Sequence, residues 1–202
     1  NEKFYDFDIA KESFYNQHID EKIKNKKYIY EPCYLNFDRS KPEREFENFL
    51  EEIKFIAKNE LLAGVHIYTS AEASGAQSEY TRFGMDYAKW MSNIRRILKE
   101  VEEVSITIMS TYNLLSVFSY EQFLQDMLDI KKEFPWNSHR NSPKLILNIP
   151  YLNHPKHQAM FLIDPKHKNK ISGCVDFMKN NLVDWKERTT KGGFELTELE
   201  LM

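Results

Sequence analysis

The stretch VHIYTSAEASGAQSEYTRFG, residues 65–84, changes character partway along. Its first six residues, Val65–Ser70, read as a short buried strand of β-branched and aromatic side chains. Small and polar residues follow, with no proline, and Arg82 and Gly84 come just before an amphipathic pattern. Thr69, Ser70, Glu72, Glu79 and Arg82 therefore gather just past a strand end. Loops fixed by a rigid strand are where binding groups concentrate.

Two further runs match the first. They are VSITIMS (104–110) and KLILNIP (144–150), and the three begin about 40 residues apart. Helical patterns lie between and before them. Residues 42–59 carry Phe46, Phe49, Leu50, Ile53 and Ile56 on one stripe. Residues 86–103 do the same with Tyr87, Trp90, Ile94, Ile97, Leu98 and Val101, and residues 119–134 with Phe123, Met127 and Ile130, behind Ser119 as N-cap. A fourth helix is expected over 173–188, and a turn at Gly192-Gly193 followed by a short helix or a frayed end. Strand–helix alternation of this kind predicts an α/β chain of repeated βα units with a parallel sheet, as a (βα) barrel, part of one, or a doubly wound sheet. In each, ligands meet the C-terminal ends of the strands. Residues 28–37 (YIYEPCYLNF) could add a strand broken by Pro32, and residues 1–34 form a segment of uncertain character.

Composition narrows the class. At 202 residues, 42% hydrophobic, the chain can bury a core and suits one domain with a small appendage. A net charge of −3 gives no field of one sign, so no nucleic-acid partner is expected. No apolar run approaches the ~18 residues of a membrane span, and no signal peptide is recognisable. Two cysteines, Cys33 and Cys174, fit a reducing, cytoplasmic setting. Asn1 in place of a methionine raises the expectation of a trimmed start or of a piece of a longer protein.

For chemistry, Thr69 and Ser70 offer hydroxyls, Gly75 lets the backbone turn, and Arg82 offers a fork that matches a carboxylate or phosphate. Glu72 could take an ammonium or a ribose hydroxyl. The plainer reading is that Glu79 and Arg82 pair at i, i+3 on the surface, with the hydroxyls as caps. Ser110, Thr111 and Asn113 sit at the second strand end, and Asn148, Tyr151, Asn153 and His154 at the third. Asn113 could present its amide to a ligand or simply form a turn. His154, His157, His167 and Cys174 lack regular metal-ligand spacing, so no metal site is assigned. P-loop, dinucleotide and nucleophile-elbow fingerprints are absent.

Residues 68–116, and more loosely 35–155, resemble radical S-adenosylmethionine (SAM) proteins, nearest to twitch-domain or SPASM-like members of phage and environmental sequences. The resemblance implies a partial (βα)6 TIM-like barrel over 35–188 with a C-terminal tail at 189–202. It implies SAM held across the strand ends, with Ser70 and Arg82 on its carboxylate, Thr69 as a second hydroxyl, Asn113 after the next strand and Glu72 assisting. The family's C-x3-C-x2-C motif, which binds a 4Fe-4S cluster, is missing, as is its GGE segment. The cluster is thus expected only if an upstream segment supplies the cysteines, and the chain reads as the C-terminal part of such an enzyme. The family acts on small molecules or peptides.

A different class stays open: a non-catalytic α/β interaction module that self-associates or docks to a missing N-terminal half through exposed strand edges. A hydrolase using Glu72 or Glu79 as base lacks a nucleophile or metal motif to accompany it.

Overall fold

The computed structural model describes residues 42–59, 64–102, 104–138 and 141–202. The expectations for residues 1–34, the strand at 28–37 and Cys33 lie outside these. The chain divides into two units, residues 1–65 and 66–202. The first contributes helix α1 (Pro42–Lys58). Leu50 and Ile53 are buried on its apolar stripe, while Phe55 is exposed.

The second unit holds a parallel three-stranded sheet in sequence order, β1 (Val65–Ser70), β2 (Val104–Met109) and β3 (Leu145–Asn148). β1 begins at the last residue of the first unit. Ile106 pairs with Leu145 and Met109 with Asn148, and the ladder runs past the strand ends through Ser110 N–H to the Asn148 carbonyl (2.8 Å) and Tyr112 N–H to that of Pro150 (2.9 Å). β2 is the central strand and is buried through Ile108. Helix α2 (Gly75–Thr81) and helix α3 (Tyr87–Glu100) connect β1 to β2, and helix α4 (Tyr120–Glu133) connects β2 to β3. α3 packs on β2 and α4 on β3. Tyr120, Phe123, Leu124, Met127, Leu128 and Ile130 are almost wholly buried, which makes α4 the main wall of the core. A chain of three single 3-10 turns (Lys156–Gln158, Met160–Leu162, Pro165–His167) leads to helix α5 (Lys168–Asn180), and helix α6 (Leu196–Glu200) ends the chain.

Several boundaries move from the sequence reading. The expected helix at 173–188 starts earlier and stops at Asn180, because the apolar residues beyond it serve another purpose: Leu182 forms a parallel bridge with Phe194. Ser119 occupies the N-cap position of α4, but its hydroxyl makes no cap bond. It accepts instead from the Ser74 N–H at 3.4 Å. α2 was not expected at all.

The outer edge of β3 is closed by side chains. Leu145 and Leu147 turn their peptide groups away from β2. The Lys131 ammonium donates to the Leu145 carbonyl (2.8 Å), and the Leu147 N–H donates to Glu198 Oε1 (2.6 Å). Lys131 and Glu198 pair at 2.7 Å, with both side chains 3% exposed. Together they supply the donor and acceptor that a fourth strand would supply. Glu198 Oε2 also accepts from the Glu195 N–H at 2.8 Å, which caps α6. Gly192 lies on the last turn of α4 and brings this tail into place.

Candidate functional site

β1 delivers its polar end to the rim of the sheet. Ala71 and Ala73 beyond it are fully buried, and Glu72 between them is only 8% exposed. Small side chains let this turn sink into the unit. Gly75 then adopts φ +52°, a left-handed conformation that other residues enter at a cost. α2 follows for two turns and ends at Thr81, so Arg82 stands past the helix in extended conformation (φ −123°, ψ 92°).

That placement decides Arg82's partner. Its Nε donates to Glu72 Oε2 at 2.7 Å and its Nη2 to Glu72 Oε1 at 2.5 Å, a bidentate fork. The expected surface pair of Glu79 with Arg82 is therefore not formed. Glu79 Oε1 accepts from the Tyr87 N–H at 3.1 Å and helps start α3, beside the Asp86 N-cap. The Arg82 side chain is 40% exposed, against 10% for Glu72. A buried carboxylate thus holds a guanidinium whose remaining edge, Nη1, is not used by the pair.

The other expected residues are placed as follows. Thr69 Oγ1 accepts from Trp90 Nε1 at 3.0 Å, which ties the strand end to α3. Ser70 is half-buried at the last position of β1. At the adjacent end of β2, Asn113 is 7% exposed and turned into its own loop. Its Nδ2 donates to the Thr111 carbonyl (2.8 Å) and its Oδ1 accepts from the Leu115 N–H (2.9 Å), an Asx turn that leaves one Nδ2 hydrogen. Ser110 is buried and accepts from the Tyr120 hydroxyl at 3.1 Å. Burial pushes the Tyr120 phenol well above its ordinary range. Tyr151, past β3, is half-exposed and donates to the Met202 carbonyl. So strand order brings the ends carrying Thr69, Ser70, Glu72 and Arg82 next to the end carrying Ser110 and Asn113.

Sequence reading missed Asp126. From α4, its Oδ2 accepts from Ser74 Oγ (2.8 Å) and the Tyr87 hydroxyl (2.7 Å), and its Oδ1 from Gln122 Nε2 (3.0 Å). One carboxylate thereby fixes the starts of α2 and α3, the two ends of the segment that carries Arg82. Burial, then the bond to Asp126, raises the Tyr87 phenol far above its usual range. Nothing in the spacing of Ser74, Tyr87 and Asp126 signals this hub. Asp126→Ala removes the shared acceptor of two partly buried hydroxyls and is expected to cost about 2 kcal/mol. Asp126→Asn should cost less, because both hydroxyls can turn. Urea unfolding of the two variants measures the difference.

Cys174 is buried beside the Tyr112 hydroxyl, which has no nitrogen or oxygen partner. Burial, with Glu121 nearby, pushes the Cys174 thiol up to about 11. It therefore stays protonated near neutral pH, and as the single cysteine among the described residues it cannot supply the three thiolates that such a cluster needs. Among the described residues no group of three His, Cys, Asp or Glu could hold a metal, and no helix is long and apolar enough to cross a membrane.

No family model, curated protein or solved structure matches the chain.

Proposed function

We propose that this chain is the C-terminal part of a radical SAM enzyme, and that the rim made by the ends of β1 and β2 is one wall of its SAM pocket. The observation that carries this reading is the Glu72–Arg82 fork just past β1. Glu72 fixes the guanidinium plane. The free Nη1 edge of Arg82, together with the Ser70 hydroxyl, suits the carboxylate of an amino-acid-like ligand. The leftover Nδ2 hydrogen of Asn113 can reach toward the same ligand from the neighbouring strand end. The sealed β3 edge adds a second support. If the three strands belong to a (βα)6 barrel, they are its last three, and the rest joins at β1.

In the complete enzyme the cysteines expected upstream would hold a 4Fe-4S cluster, and that group would supply the electron for reductive SAM cleavage. The described residues do not fit that cluster, and their part here is confined to binding and orienting SAM. Reading the gene upstream of the Asn1 codon, in frame, tests the assignment. Three cysteines at C-x3-C-x2-C spacing are expected, and a start codon with no such cysteines before Asn1 would overturn it.

One observation favours the alternative, a non-catalytic module derived from the same fold. Glu72 pairs with Arg82 through two of the three guanidinium nitrogens without any ligand, and the Asn113 amide is largely spent on its turn. On that reading the rim groups are structural and SAM does not bind.

A further inference from the structure

The segment after β3 has a character unlike the rest of the chain. HPKHQAMFLIDPKHKNK, residues 154–170, holds four lysines and three histidines against one acid, Asp164, in a chain whose net charge is −3. It is built from the three 3-10 turns and the start of α5. Ala159 and Met160 point inward and anchor it, and the Leu114 N–H donates to the Gln158 carbonyl at 2.9 Å, which ties it to the loop that carries Asn113. The next two residues splay outward: Phe161 is 72% exposed and Leu162 51%. Phe118, 62% exposed, stands edge-on to the His167 ring at 4.9 Å.

Scattered exposed apolar side chains are ordinary. Two in succession within a basic segment, with a third beside its far end, are not scatter. Lys156 and Lys168 are exposed. Lys166 pairs with Asp164 at 2.8 Å, but both are more than half solvated or close to it, and such a pair holds weakly against a competitor.

We propose that this basic, apolar-tipped apron beside the strand ends docks an acidic peptide segment, with Lys156, Lys166 and Lys168 meeting its carboxylates and Phe118, Phe161 and Leu162 its apolar side chains. Charge complementarity selects the occupant. Leu162 beside Phe161 and the absence of arginine favour a peptide with apolar side chains, and a single-stranded nucleic acid, which lysines and phenylalanines can also hold, is the competing outcome of the test. The inference goes beyond the SAM reading and does not depend on it.

The test is fluorescence anisotropy with the full chain and a labelled peptide of about 12 residues that alternates Glu or Asp with Leu and Phe. Saturable binding is expected. It should weaken at least about tenfold in Lys156→Glu/Lys166→Glu/Lys168→Glu, and by a similar factor in Phe161→Ser/Leu162→Ser. These side chains are exposed, and circular dichroism checks that both variants keep the fold. Absence of saturation, equal binding by either variant, or tighter binding of polyuridylate or of anionic phospholipid vesicles than of the peptide would overturn the proposal. SAM binding is measured separately, so failure of one reading leaves the other intact.

Discussion

Glu198→Leu is expected to destabilise the protein by about 3–5 kcal/mol, the largest effect of any single substitution considered. The cost follows from what is left behind. Lys131 would remain 3% exposed with its charge unpaired, and the Leu147 and Glu195 N–H groups would lose their acceptor. Breaking a buried pair from one side is far worse than never having it. Lys131→Met/Glu198→Leu should therefore recover part of the loss, because no buried charge remains. Recovery stays incomplete, since the Leu145 carbonyl and Leu147 N–H still lack partners. Urea unfolding followed by tryptophan fluorescence gives all three stabilities. Equal stabilities for Glu198→Leu and the double variant would show that the buried charge is not what matters.

Gly192→Ala is expected to cost about 3 kcal/mol. A Cβ at this position would lie 1.9 Å from the Lys131 carbonyl oxygen and 2.5 Å from the Lys132 nitrogen. Both are backbone atoms of the last turn of α4 and cannot swing aside. The tail would have to lift off, and it carries Phe194 and Glu198 with it. Gly173→Ala is the control. It lies inside α5, where the new methyl meets only the Glu121 carboxylate at 3.7 Å, and there alanine should stabilise by roughly 0.5–1 kcal/mol. Thermal melts of the two variants should shift in opposite directions.

Much of this fold was legible because its elements have clean periodicity. β1, β2 and β3 are short apolar runs, and α1, α3 and α4 each bury a stripe at helical spacing. α2 was not legible, since GAQSEYT has no apolar stripe and is held by Ser78 burial and by the Asp126 hub. α5 was misplaced because Leu182 and Val183 look like one more helical turn, yet they pair with the tail at Phe194. The pairing of Lys131 with Glu198, 67 residues apart, leaves no local signal. At the rim, the residue types could be read but not their partners. Spacing pointed Arg82 at Glu79, whereas the end of α2 at Thr81 frees Arg82 to reach back to Glu72.

The most direct measurement is a titration of the isotopically labelled chain with SAM, followed by NMR at Ser70, Arg82 and Asn113. The SAM-wall proposal predicts saturable shifts at all three residues, and an affinity at least about tenfold weaker in Arg82→Ala. No saturable shift up to about 5 mM SAM, or the same affinity in Arg82→Ala, would contradict it.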